Sequence, residues 1–163
     1  MQNIKELLVN KLKENFKTDI ESVTEFQGTL TVLINKSRLI DVCQFLRNDT
    51  DLHFDMCKDV VGVDYYRPEF RYEVVYNLYS LKNNFRFLLK IKLAEEDMHV
   101  PTVVNIWPGA NWPEREVYDF FGIIFDGHPD LRRIYMPEEF EYYPLRKEFP
   151  LMGIPGSLEL PRK

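Results

Sequence analysis

The sequence predicts an α+β fold. It is a two-layer domain of order α-β-β-α-β-β-β, with a mainly antiparallel mixed sheet, helices on one face, and a proline-rich section after it. Three observations carry this. Apolar residues recur at helical spacing in two stretches and alternate at strand spacing in the others. Turn signals at Gln27-Gly28 and Lys82-Asn83-Asn84 separate strand-like runs. Eight of the ten prolines fall from Pro108 onward, so regular structure shortens past Glu95. The chain is therefore expected to form an α+β body, residues 1–95, followed by a charged helix and an extended docking arm, residues 96–163.

The elements follow in order. Ile4, Leu7, Leu8, Lys11 and Leu12 with Phe16 define a first amphipathic helix. Ile20 to Phe26 and Leu30 to Asn35 read as a hairpin joined at Gln27-Gly28. Ser37 is placed to cap a second helix whose apolar face is Leu39, Ile40, Val42, Cys43 and Leu46, and which stops at Asn48-Asp49. Three strands are expected at about His53 to Val63, Arg71 to Ser80 and Phe85 to Leu93, the last two alternating as half-buried strands do. Beyond them, Thr102 to Trp107 suggests a brief helix. A further helix is capped by Asn111 or Trp112, carries Pro113 in its first turn with Glu114 and Glu116 near its positive end, and ends at Gly122.

Composition narrows the function. A chain of 163 residues, 45% hydrophobic and 14% aromatic, suffices for one core. Its net charge of -5 disfavours a grip on nucleic acid or anionic lipid, and Arg132-Arg133 is too short a cluster to reverse that. The many tyrosines and phenylalanines then read as core and interface rather than base-stacking platforms. The most apolar stretch, Phe85 to Leu93, is interrupted by Arg86, Lys90 and Lys92, far short of the roughly 20 residues a membrane span needs. Met1 to Leu12 lacks the apolar core of a secretion signal, which points to the cytosol or an equivalent compartment. Cys43 and Cys57 form neither a Cys-x-x-Cys pair nor a set with a nearby His, so both are assigned to the core. No glycine-rich nucleotide loop is present.

The densest chemistry lies between Asn111 and Leu151. In the helix there, Arg115 and Asp119 share a face, while Val117, Phe120 and Phe121 turn toward apolar packing. An exposed Arg115–Asp119 pair would contribute only a few tenths of a kcal/mol, so docking to a partner explains the charge better. The tail from Pro137 to Pro161 carries five prolines and should be an extended arm. Ordering each residue costs roughly 1–2 kcal/mol, so Tyr142, Tyr143, Leu145, Phe149, Leu151 and Ile154 should be buried on another subunit.

The series Glu114-Arg115-Glu116, Asp119-Phe120-Phe121-Gly122, Gly127-His128-Pro129, Leu131-Arg132-Arg133-Ile134 and Pro144-Leu145-Arg146-Lys147 resembles the thirty-kilodalton subunit, also called the C subunit, of respiratory complex I. That family also has the α-β-β-α-β-β-β layout. The resemblance implies a peripheral-arm subunit without catalytic residues that binds no metal or cofactor itself. It would scaffold the quinone-site and iron–sulfur subunits of an NADH:quinone oxidoreductase that uses NADH, FMN, iron–sulfur clusters and quinone and translocates protons. Such a chain sits on the cytoplasmic face of the cell membrane, or the matrix side, through its complex. The chain ends soon after Pro161, which points to the stand-alone form. Expected interface residues are Glu114, Arg115, Glu116, Asp119, His128, Arg132, Arg133, Pro144, Leu145, Arg146 and Lys147. Arginine stands out because its forked donors suit carboxylates and carbonyls at protein seams.

Other readings compete. The same subunit could serve a related membrane-bound hydrogenase or a ferredoxin- or F420-dependent quinone reductase, or be an adaptor outside redox complexes. Casting Glu114, Glu116, Asp119 and His128 as acid, base and metal ligands founders on spacing, since residues two apart on a helix do not face each other. Asp51, His53 and Asp55, alternating along a strand, read as a polar face rather than a metal site.

Overall fold

Helix α1 (Ile4–Phe16) begins the computed structural model, which describes residues 4–67 and 70–154. Strands β1 (Ile20–Phe26) and β2 (Thr29–Ile34) form the expected hairpin, with positive φ at both Gln27 and Gly28. After α2 (Leu39–Asn48) come β3 (Met56–Asp64), β4 (Tyr72–Ser80) and β5 (Phe85–Leu93). The sheet order is β1-β2-β5-β4-β3, antiparallel except where β2 runs parallel to β5. The α-β-β-α-β-β-β body is as the periodicity predicts.

Alternation explains the two layers. Register aligns Val60 with Tyr76 and Leu89, and Gly62 with Val74 and Ile91, so these residues share one sheet face. Leu8, Leu12, Leu39, Val42, Cys43 and Leu46 from α1 and α2 join them in one buried cluster. The intervening residues, such as Val75, Asn77, Leu88 and Lys90, are only half-buried. Cys43 and Cys57 are both buried, free thiols.

Four local expectations are corrected. The side-chain cap before α2 comes from Asn35, whose Oδ1 accepts from the Ser37 N–H (3.0 Å) and opens a 3-10 turn at Lys36–Arg38. An Asx cap outcompetes the Ser37 hydroxyl, which itself donates to Asn35. His53 precedes β3 with φ 39° and bonds Asp55 (2.9 Å), so it does not alternate along a strand. Residues 104–106 are a turn and the short helix is 3-10, Pro108–Ala110. Helix α3 (Asn111–Phe121) runs on directly from it, so neither Asn111 nor Trp112 caps it.

The second region adds β6 (His99–Pro101) and β7 (Ile124–Asp126), a small parallel pair. Helix α3 packs over β3 on the same sheet face as α1 and α2, with Val117 and Phe121 in the common core, and a Cβ on Gly62 would stand 2.6 Å from the Phe121 ring. That close approach fixes where the charged helix sits relative to the body. Among the described residues no helix is long and apolar enough to cross a membrane.

Candidate functional site

Helix α3 is the post to which the C-terminal region is tied. Pro113 is tolerated there because the first amides of a helix lack intrahelical acceptors. Gly122 ends the helix at φ 75°, and its N–H bonds Tyr118 O. Both faces of α3 are used inside the chain: Glu114, Arg115, Val117, Asp119 and Phe121 are all buried. Arg115 and Asp119 share a face but do not pair with each other. Arg115 Nε donates to Arg132 O (3.1 Å), and its guanidinium lies 4.6 Å from the Trp112 ring centre.

Asp119 is the hub. Its Oδ2 accepts from the N–H groups of Ile134 (2.9 Å), Tyr135 (2.6 Å) and Met136 (3.1 Å). Its Oδ1 accepts from Arg133 Nη1 (2.9 Å). Burial by itself would raise this carboxyl, but the three amides and the guanidinium outweigh it and hold Asp119 below the usual aspartate range. Glu114, less than two turns earlier, has the opposite balance. Burial pushes it up to about 7, against the Thr102 hydroxyl and the Val103 amide that donate to it.

A second set of ties joins the tail to the end of α3. Arg146 Nε donates to Phe121 O (2.7 Å), and its guanidinium stacks on Tyr143, 4.4 Å from the ring centre. Leu145 N–H donates to Phe120 O (3.2 Å), while Phe120 stacks on Tyr135. A Cβ at Gly122 would stand 2.6 Å from both Arg146 and Tyr143, so this crossing admits only glycine. Lys147 contributes its backbone, donating to Asp64 Oδ2 (2.8 Å). His128 accepts from Asp130 N–H at Nδ1 (3.0 Å), which leaves Nε2 to donate to Asn111 O (3.1 Å).

The extended arm is thus corrected in one respect. Residues 130–149 are tied to this chain's own α3 and β3 rather than standing clear of the body. The end of the expected arm, to Pro161, lies outside the described residues. Of the residues expected at an interface, Glu114, Arg115 and Asp119 are buried in the chain, and Arg133 and Arg146 are largely covered by it. His128 and Pro144 are half-buried, whereas Glu116, Arg132, Leu145 and Lys147 are exposed.

Sequence reading missed Arg71, the centre of a neighbouring cluster. It pairs with Asp64 (3.3 Å), Glu95 and Glu148 and lies between the rings of Tyr66 and Tyr72. Tyr66, Arg67, Arg71, Glu95 and Glu148 border a cavity of about 450 Å³. Asp64 ends β3 and Arg71 precedes β4, a hint that could have marked them. Their link to the tail, 77 residues on at Glu148, leaves no local signal.

The chemistry of this arrangement is fastening. Glu116 is exposed while Glu114 is buried, so they make no acid–base pair, and both His128 ring nitrogens are engaged by backbone. Burial pushes the Cys57 thiol up to about 12 and Cys43 well above its ordinary value, so both stay protonated. Among the described residues, no three His, Cys, Asp or Glu side chains converge to hold a metal ion.

Comparison with known proteins finds matches along most of the chain. The family model of the respiratory-chain NADH dehydrogenase 30 kDa subunit matches residues 32–155. The NADH-quinone oxidoreductase C subunit of Geobacter sulfurreducens is 46% identical over 146 residues, 89% of each chain. Among solved structures, the trypsin-resistant fragment (1-134) of Nqo5 superposes with a TM-score of 0.69 at 34% identity, covering 79% of this chain and all of that one. A chain of the membrane-bound sulfane sulfur reductase, an archaeal respiratory membrane complex, has a TM-score of 0.76 at 23% identity, with 92% and 88% coverage, and shares the fold.

Proposed function

This chain belongs to the family of the 30 kDa subunit of respiratory-chain NADH dehydrogenase, and from that membership we propose that it is a non-catalytic scaffold subunit of an NADH:quinone oxidoreductase. The observation that carries the reading is kinship along nearly the whole chain rather than in a single motif. The fastening role of α3 agrees with it, since Asp119, Gly122, Arg133 and Arg146, all in the series that carries the resemblance, hold the tail in place. In this reading the quinone-site and iron–sulfur subunits are the partners, and they, with FMN, carry the electrons from NADH to quinone. The chain itself holds no cofactor and sits peripherally on the cytoplasmic face of the cell membrane, or the matrix side, through its complex. The same role in a hydrogenase or a ferredoxin- or F420-dependent reductase is less favoured, because the curated relatives bear the NADH-quinone oxidoreductase name.

Partner contact is assigned to the outer side of α3 and the tail. Trp112, Glu116, Arg132, Tyr135, Leu145 and Lys147 are exposed there, and Leu151 and Met152 are bare apolar side chains beyond them. Aromatic and arginine side chains are the types enriched at interface anchors. Glu114, Arg115, Asp119, Arg133 and Arg146 then act from beneath by shaping that surface, with His128 and Pro144 at its border.

Affinity purification of the tagged chain from membranes tests this. The expected result is a large assembly with flavin and iron–sulfur absorbance and NADH-oxidising activity. Recovery of the chain alone, or unchanged NADH:quinone activity in cells lacking it, would overturn the proposal. Arg132→Glu and Leu145→Asp should weaken assembly while the isolated chain keeps its stability.

A further inference from the structure

Glu114 is 0% exposed, and among the described residues no cation contributes to its proton affinity. Its partners are two donors on the segment after β6. The Thr102 hydroxyl lies at 2.5 Å and the Val103 N–H at 2.9 Å. Asp119, on the same helix and equally buried, keeps its charge because Arg133 and three amides converge on it. Glu114 has no such compensation.

The groups that face it bring no positive charge to offset its own. From β4 comes the Tyr76 phenol, buried with no hydrogen-bond partner for its hydroxyl; from α2 the Cys43 thiol; from β3 the Cys57 thiol. Each is shifted upward by proximity to Glu114 as well as by burial. On α3 itself Arg115 is turned to Arg132, and His128, from the loop after β7, bonds Asn111 at the helix start. The helix dipole and the two donors favour a carboxylate, while burial opposes it and prevails.

Thr102 can serve either state. Its hydroxyl donates to a carboxylate and can instead accept from a carboxylic acid, and its oxygen also accepts from Val104 N–H (3.2 Å). A hydrogen bond across the junction therefore survives protonation, while the cost of a buried unpaired charge disappears.

We propose that Glu114 is a proton-binding site that clamps residues 102–104 to the first turn of α3, firmly when its carboxyl is protonated and loosely when it is ionised. Since α3 also carries the tail on Asp119 and Gly122, the clamp links proton binding to the firmness of the whole C-terminal platform. The proton affinity in the folded chain exceeds that of an exposed glutamate, so the stabilisation is complete below pH 4.5 and fades as pH rises through about 7.

Denaturant unfolding of the full chain and of Glu114→Gln from about pH 5 to about pH 8.5 tests this. Glutamine can offer an N–H to the Thr102 oxygen and a carbonyl to Val103, as the neutral acid does. The wild-type unfolding constant should rise relative to that of the variant by on the order of 30- to 100-fold across the range. Parallel curves, or a variant destabilised equally at every pH, would overturn the clamp. If the variant does not fold, carbon-13 titration of the Glu114 carboxyl in the wild-type chain decides. A midpoint at or above about pH 6 supports the site, and a lower one refutes it. Exchange protection of the Val103 amide, corrected for intrinsic base catalysis, should fall over the same range.

Discussion

The body and the tail are held by different forces. In the body, Leu89, Ile91, Val74 and Tyr76 are completely buried, and sheet register decides their neighbours. Their contribution is roughly proportional to apolar area and involves no change of charge with pH. In the tail, Phe140 is the one buried hydrophobic side chain among the described residues beyond Phe125. Its attachment rests on carboxylates receiving backbone amides, arginines reaching helix-end carbonyls, and guanidinium groups stacked on rings. A small sheet domain can therefore carry a long irregular segment without a second core, provided the segment's amides find charged acceptors. The consequence is directional: conditions that alter charge should loosen the tail before the sheet.

The largest effect that could break this contrast is expected at Asp119. Asp119→Ala strands Arg133 and three amides, a loss of about 3–5 kcal/mol for a broken buried pair, limited by the tail's own docking free energy. Hydrogen exchange should show amides 134–136 opening while those of β4 and β5 stay protected. Equal loss in both would mean body and tail form one cooperative unit. The wild-type chain should behave likewise in acid. Because folding depresses the Asp119 proton affinity, its stabilisation is present at neutral pH and lost as pH falls below the ordinary 3.8 through the folded value.

A smaller loss is expected at the crossing. Gly122→Ala places a methyl group 2.6 Å from Arg146 and Tyr143 at φ 75°, and should cost about 1–3 kcal/mol, read by denaturant midpoint. Protease cleavage after the tail's arginines should accelerate in step. The smallest is Arg146→Lys, which removes the Nε donor to Phe121 O and weakens the stacking on Tyr143 for about 0.5–1 kcal/mol. Its effect should be confined to tail exchange rates and should leave the unfolding of the sheet unchanged.

The body was legible in the sequence because its determinants are local and periodic. Alternation along Tyr72–Ser80 and Phe85–Leu93, the helical stripe at Leu39, Val42, Cys43 and Leu46, and the Gln27-Gly28 turn each state their own structure. Gly122 was equally readable as a helix stop. The motif between Glu114 and Lys147 was visible as a family resemblance, but what those residues do was not. A charged residue carries no local mark of whether it meets solvent, a neighbouring subunit or its own chain, and Asp119 finds its acceptor role with amides 15 to 17 positions away.

Sequence alone thus determined the sheet, its two covering helices, the family, and the place where the charged helix stops. Tertiary structure alone decided that this helix buries its charges, that Asp119 stays ionised while Glu114 is pushed toward neutrality, and that the tail turns back onto the body. The physical reason is range. Hydrophobic periodicity acts over a few residues and can be read along the chain, whereas the worth of a charge depends on solvent exclusion and on partners that only the folded chain brings together.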